Sequence, residues 1–392
     1  MKRILLIGAG HAHLVVLRSL ARKALYGARV TLVTPHATQI YSGMLPGLIA
    51  GHYRVEDVRV DLAGLAARAH AELVQGTVQA LDLAAKVARL SDNTELRFDV
   101  VSINIGAAID RSVPGGAVRA LAVKPYDSFV SELSGRTIGR VAIAGAGAAG
   151  LELAMALRHR GAAVTLYSGG QSVPEEMAGR AVPVLRRLGV DYRPGMPVDS
   201  IEPGPVVRSG PSSQEFDLVL LATGAVPIEW PRRAGLEADE RGYILVDPML
   251  RSVSHPYVVA AGDCASLRDA SLPKSGVYAV KQGEILAENF RRDIAEQPLL
   301  RFRSNRRALS ILSCGGRYAI AQRGAWTAQG RWVWRWKDWI DRRWMRLYQV
   351  LPEMAATTPE TEATAMRRSA DHALPHCLPA IVSIKCLIAM SG

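Results

Sequence analysis

Short runs of consecutive apolar residues, each closing on glycine and followed by a helical pattern, organise the first half of the chain. Ile4-Leu-Leu-Ile7 ends at Gly8 and Gly10; apolar residues then recur at helical spacing from Leu14 to Leu20, and a further run, Arg29-Val-Thr-Leu-Val33, follows. The same plan returns at Arg140, with a run through Ala144, the glycines Gly145, Gly147 and Gly150, a helical stretch through Leu157 and a run over residues 163–167. Unbroken apolar runs of about 4–8 residues bounded by turn residues read as strands buried on both faces, and helical crossovers between them imply parallel pairing. The two units lie 137 residues apart, and a second matched pair supports the duplication. Phe98-Asp-Val-Val-Ser-Ile-Asn-Ile-Gly106 follows Gly8 by 98 residues, and Phe216-Asp-Leu-Val-Leu-Leu-Ala-Thr-Gly224 follows Gly145 by 79. The pattern predicts an α/β fold with two Rossmann-like dinucleotide-binding domains.

The C-terminal part reads differently. Leu309-Ser-Ile-Leu-Ser and Tyr318-Ala-Ile-Ala predict two strands around Gly315-Gly316, and residues 326–348 hold six of the seven tryptophans. There Trp332, Trp336, Ile340, Arg343 and Leu347 recur in steps of four and three, which predicts an amphipathic helix over much of the stretch. A C-terminal α+β module results. The predicted organisation is a first dinucleotide domain over 1–116 and 227–298, a second over 117–226, the basic Trp-rich module over 299–350, and a linker and tail over 351–392.

Composition narrows the class. With 392 residues, 49% hydrophobic and 21% charged, the chain is large enough for two or three cores, which excludes a disordered, collagen-like or disulfide-stapled protein. Of the net charge of +12, residues 291–346 carry +10, so the excess belongs to one segment. Cys264, Cys314, Cys377 and Cys386 show neither C-x-x-C nor zinc-ligand spacing, so neither a metal site nor a dithiol relay is expected. The start lacks the run of about 7–15 apolar residues of a secretory signal, and no stretch reaches the about 18 of a membrane span. The expectation is a cytoplasmic protein, soluble or resting on the inner face of the cell membrane.

Gly145-x-Gly147-x-x-Gly150 is a complete G-x-G-x-x-G between a predicted strand and helix. Its glycines allow the tight turn, the approach of a pyrophosphate and close helix–strand packing, and the anion meets the free N–H groups of the helix end. The first unit departs from this: after Gly8 and Gly10, His13 stands where the third glycine belongs. A side chain there must push the helix away or fill a gap, and His11 and His13 read as packing and hydrogen-bonding residues rather than catalysts. The acid expected at the adenosine ribose is absent from both units, which read Val33-Thr34-Pro35-His36 and Leu166-Tyr-Ser-Gly-Gly170, so NADH and NADPH stay undistinguished. Val258-Val-Ala-Ala-Gly262-Asp263 ends a buried run on a carboxylate placed to accept hydrogen bonds from polyol hydroxyls, as a flavin's ribityl chain requires.

These elements together resemble the flavin-dependent pyridine nucleotide oxidoreductases, the group that contains type II NADH dehydrogenases and disulfide reductases. A closer resemblance is to the oxidoreductase found N-terminal to selenide, water dikinase. It rests on Gly8-Ala-Gly-His-Ala-His13, on residues 41–53 (Tyr-Ser-Gly-Met-Leu-Pro-Gly-Leu-Ile-Ala-Gly-His-Tyr), on Ser102-Ile-Asn-Ile-Gly106, on residues 273–283 and on residues 334–343. It covers about residues 1–365, and no cysteine-bearing glycine-rich kinase start follows Met366.

The resemblance implies FAD in the first domain, at Gly8, Gly10, His11, Thr34, Gly106, Gly262 and Asp263, and NAD(P)H in the second, at Gly145, Gly147, Gly150 and Gly224. It implies Glu152 near the nicotinamide and flavin rings, although an ordinary first-turn residue would look the same. Lys124 and residues 274–282 would approach the isoalloxazine, with Gln282 on the acceptor side. A disulfide reductase of this group keeps its dithiol early, and residues 1–263 contain no cysteine, so electrons would pass to an external small acceptor such as a quinone. The rival is a partner-dependent or non-catalytic flavoprotein of selenium metabolism, with a selenide, water dikinase as partner. For residues 326–348 three readings stand: a core or subunit contact, an interfacial helix on anionic lipid, and, last, single-stranded nucleic acid.

Overall fold

The computed structural model describes residues 1–349 except 137, 171–172 and 304–307. The expected linker and tail, 351–392, with Cys377 and Cys386, lie outside the described residues. Two five-stranded parallel sheets carry the described chain. In the first, the strand order is Val258–Ala260, Val100–Ile103, Lys2–Ile7, Ala28–Thr34, Ala71–Gln75. Helix α1 (His11–Arg22) crosses from the third of these to the fourth. In the second sheet the order is Leu121–Ala122, Leu218–Leu221, Arg140–Ala144, Ala163–Ser168, Asp191–Pro194, and helix α2 (Ala148–His159) makes the equivalent crossover. The central strands are apolar on both faces because helices or loops cover both; Leu6, Leu32, Ile103, Ile143 and Leu220 are all fully buried. The duplication extends to two separate three-stranded antiparallel sheets, from Val78–Asp82 to Glu95–Arg97 and from Ser200–Glu202 to Ser212–Glu215.

Helix α3 (Gly276–Ile294) returns the chain to the first sheet and packs along α1. Contact is closest at Gly283, where a Cβ would stand 2.5 Å from the Ala12 carbonyl oxygen, so only glycine lets the two backbones meet. At the far end the Arg291 guanidinium donates to the carbonyls of Ser19, Lys23 and Ala24, which closes the C-terminus of α1.

The C-terminal module is a three-stranded antiparallel sheet, Ser310–Ser313, Ala319–Arg323 and Trp326–Gly330, followed by helix α4 (Arg331–Arg346). The expected helix over much of 326–348 is α4, and two features go beyond the sequence pattern. Residues 326–330 form a strand, because the chain turns into the helix only at Gly330, whose φ of +138° suits glycine. The buried face of α4 is also not the predicted stripe. Val333, Asp341 and Met345 are buried and Lys337 and Trp344 half-buried, whereas Trp332 is 55%, Trp339 44% and Leu347 42% exposed. The reason is an ion pair: Lys337 Nζ lies 2.6 Å from Asp341 Oδ2, and this mutual neutralisation lets two charged side chains occupy the packed face.

Candidate functional site

The first glycine turn is built around a side chain that the sequence pattern does not assign. Gly8 (φ +86°) has no room for a Cβ, which would stand 2.6 Å from the Asn104 carbonyl oxygen; at Gly10 a Cβ would run into the Asn104 side chain. Asn104 Oδ1 accepts the N–H groups of Ala12 (3.0 Å) and His13 (3.2 Å), and Nδ2 donates to the Ala261 carbonyl (2.6 Å). His13 fills the gap left by the missing glycine. It is fully buried, with Nδ1 2.5 Å from the Gly8 carbonyl and Nε2 2.8 Å from Ser102 Oγ. Burial holds its pKa down at about 4, the Gly8 carbonyl offsetting part of the fall, so the ring is neutral at pH 7. A carbonyl can only accept, so Nδ1 carries the proton and Nε2 accepts from Ser102.

Around this turn the fold gathers several of the expected residues. Gly262 (φ +73°) donates its N–H to Gln282 Oε1 at 2.6 Å, and Asp263 Oδ2 stands 3.1 Å from Lys124 Nζ. Burial pulls the Lys124 ammonium down, but Tyr126 and Asp263 outweigh it, and the net shift is upward, so the group stays charged. His11 opens α1 beneath Gly276, in ring contact with Tyr41 and Trp344, and burial lowers its pKa to about 4 against a smaller opposing pull from Asp263. Thr34 ends the neighbouring strand, buried, its carbonyl receiving the Gly76 N–H at 3.0 Å. Gly106 (φ +74°) has no atom within 4 Å of a notional Cβ, so the strand beside the turn ends in open space.

The second turn follows the glycine pattern throughout. A Cβ on Gly145 (φ +106°) would run into the Ala222 carbonyl oxygen, and one on Gly150 into that of Gly145. Gly147 caps α2 without a side-chain hydrogen bond, and Ala148 and Ala149 are exposed, so the helix end is open to an anion. Gly224 (φ +125°) again borders open space. Ser168 Oγ is bonded to the Gly170 carbonyl at 2.6 Å.

Glu152 is the fifth residue of α2, just past the first turn in which it was expected, and its Oε1 accepts the Ser313 N–H of the C-terminal sheet at 2.7 Å. Burial raises its pKa to about 7, moderated by Lys337 and the Ser313 N–H and reinforced by Asp341. The C-terminal module thus forms one wall of the site. It is seated on residues 41–53, which explains the distinctive composition of that string. Tyr41 Oη donates to Asp341 Oδ1 (3.2 Å), Lys337 Nζ to the Gly43 carbonyl (2.5 Å), Tyr53 Oη to Asp338 Oδ1 (2.7 Å), and Tyr41 stacks on Trp344 at 4.1 Å. Sequence reasoning missed Asn104, Lys337 and Asp341; the string Ser102-Ile-Asn-Ile-Gly106 and the 41–53 motif were the available signals.

The donor set fits the two expected nucleotides. Both turns present a helix N-terminus held close to its strand by glycines whose missing Cβ atoms admit backbone and Asn104 atoms, and Asp263 and Lys124 supply polar groups beside the first turn. The family model of the pyridine nucleotide-disulphide oxidoreductases matches residues 2–283. The chain belongs to that family. This oxidoreductase is 30% identical over 284 residues to the nitric oxide reductase FlRd-NAD(+) reductase of Salmonella gallinarum, covering 69% of this chain and 74% of that one. Its fold is that of the sulfide:quinone oxidoreductase of Aquifex aeolicus (TM-score 0.72, 16% identity, 95% and 96% of the two chains). NDH2 from Plasmodium falciparum in complex with NADH has the same fold (TM-score 0.70, 14% identity, 88% and 98%). The family makes this an NAD(P)H-dependent flavoprotein oxidoreductase with FAD and NAD(P)H as cofactors.

Proposed function

We propose that this oxidoreductase is an FAD-dependent NAD(P)H dehydrogenase that passes electrons to a quinone or similarly small acceptor without a redox-active disulfide. The observation that carries the reading is the state of the thiols among the described residues. Residues 1–263 hold no cysteine, and burial pushes the Cys264 and Cys314 thiols up to about 11 and about 12, so neither is a thiolate at neutral pH. Electrons therefore leave by an external acceptor.

When bound, FAD supplies a two-electron acceptor for the nicotinamide hydride and a donor to the next carrier. The chain's own residues do the rest. Gly8, Gly10, His11, Thr34, Gly106 and Gly262 shape the FAD cleft, and Asp263 meets the ribityl hydroxyls while Lys124 holds it oriented and brings positive charge to the ring system. Gln282 fixes Gly262, and Gly145, Gly147, Gly150 and Gly224 receive the nicotinamide nucleotide. Glu152, with a proton affinity matched to neutral pH, holds or releases a proton at its carboxyl. The test is an anaerobic titration: the yellow protein should bleach with NADH or NADPH and recover its colour with a soluble quinone. Stable flavin binding with no bleaching by either nucleotide would instead favour the partner-dependent flavoprotein of selenium metabolism, a reading supported by the missing ribose carboxylates.

The ribose subsite yields a second expectation. With no carboxylate at Ser168 to repel a 2′-phosphate, and its hydroxyl engaged by Gly170, the kcat/KM values for NADH and NADPH should lie within about tenfold of each other. Steady-state kinetics with both nucleotides checks this; a preference of about 10³-fold for either would count against it.

The outward face of α4 supports a membrane surface as the seat of a cytoplasmic enzyme rather than a subunit contact or nucleic acid. Among the described residues no helix is long and apolar enough to cross a membrane. On α4, Trp332 and Trp339 are exposed along with Arg331, Arg335, Arg342, Arg343 and Arg346, the combination that interfacial helices use on anionic lipid, and Trp326 is exposed on the preceding strand. Replacing the three tryptophans by serine should abolish flotation with anionic vesicles at low salt; equal flotation of both forms would remove the idea.

A further inference from the structure

The duplicated units provide an internal comparison. At the third position of the glycine turn the second unit has Gly150, pressed against the Gly145 carbonyl, and the first has His13, whose Nδ1 donates to the equivalent Gly8 carbonyl. Two residues before the matching strand-end glycines, the second unit has Ala222 and the first Asn104. Both backbones hold the same place: Ala222 N–H donates to the Ala144 carbonyl and Asn104 N–H to that of Ile7, each at 2.8 Å. The two departures of the first unit, 91 residues apart, thus meet in space, where Asn104 Oδ1 accepts the His13 N–H.

The consequence is an asymmetry between the helix ends. α2 begins without a side-chain cap, whereas two first-turn donors of α1 are held by Asn104, which also ties down the Ala261 carbonyl and, through its own carbonyl, the Gly10 N–H at 3.1 Å. Asn104 is only 2% exposed and lies against Gly8, Gly10 and Gly262 at once.

We propose that Asn104, together with His13 and Ser102, is the positioning device of the FAD turn and replaces the third glycine of the dinucleotide pattern. It holds the turn that receives the pyrophosphate and the Gly262 turn that presents Asp263 in one fixed relation before the cofactor arrives.

The test is flavin affinity of the apoprotein, read from quenching of FAD fluorescence, with melting followed with and without FAD. N104A should weaken FAD binding by at least about tenfold, since two buried donors and one buried acceptor lose their partner. The KM for NADH of the FAD-saturated protein should stay within about twofold, because α2 is untouched; a general loss of structure would move both. H13G should also weaken FAD, although it restores the pattern's glycine. The double variant H13G/N104A copies the second unit, so its loss should be smaller than the product of the two single losses. If N104A does not fold, S102A, which removes only the acceptor-side partner of His13, should weaken FAD by about threefold to tenfold. FAD affinity of N104A or S102A equal to the unaltered protein, tighter binding by H13G, or losses in the double variant that simply multiply would overturn the assignment.

Discussion

Replacing Gly150 by valine is expected to leave a yellow protein whose flavin NADH can no longer bleach at an appreciable rate. The Gly145 carbonyl oxygen occupies the space that any Cβ on Gly150 would need, so α2 must move off its strand to admit a side chain. That shift carries away the open N–H groups that follow Gly147, and a misplacement of about 1 Å in a bound reactant costs about 10²-fold in rate. The turn to which the proposal assigns FAD lies in the other sheet, at the start of α1, and should keep its flavin. Anaerobic rapid mixing with NADH should therefore show flavin reduction slowed by at least about 10²-fold. Dithionite, which needs no nucleotide site, should still bleach the variant at once. Bleaching by NADH at the unaltered rate would separate Gly150 from the nicotinamide site.

Replacing Glu152 by glutamine should act on proton uptake. Burial raises this carboxyl from its ordinary 4.5 to about 7, so near neutral pH it exists in both protonation states, and the protonated fraction falls as pH rises through 7. If it delivers the proton that a quinone needs, quinone turnover should decline on the alkaline side of about pH 7. E152Q should abolish that limb and lower kcat by about 10²-fold, the lower range for a positioned acid or base. Ferricyanide takes an electron without a proton, so its reduction should change little; an equal loss with both acceptors would place Glu152 in structure alone. Stability supplies an independent sign. Since the folded-state pKa is raised, the group's contribution to stability is complete below 4.5 and is lost as pH rises through about 7. E152Q should therefore gain in melting temperature relative to the unaltered protein at pH 8 compared with pH 5.

Much of the nucleotide-binding machinery was legible because its logic is local. A strand, a glycine turn and a helix lie within about twenty residues, and parallel strands covered on both faces show as unbroken apolar runs. The lone Gly-Asp of residues 262–263 became informative only through its order after two such units. Asn104 was not legible as a structural centre, because its partners Ala12, His13 and Ala261 come from turns far apart in the chain. The helix of α4 was legible from its spacing, but the face it buries was not, because that face holds Lys337 and Asp341, whose burial depends on their pairing and on Tyr41 and Gly43.

The two units and the glycine turns that the proposal assigns to pyrophosphates can be read from the order of the amino acids, since each depends on neighbours within one strand–turn–helix. The buried face of α4, the packing role of residues 41–53 and the contacts of His13 in place of the third glycine emerge from the folded chain alone. In each case a polar side chain is buried, and burial of a polar group is favourable only when a distant partner meets it, a condition that the linear pattern does not contain.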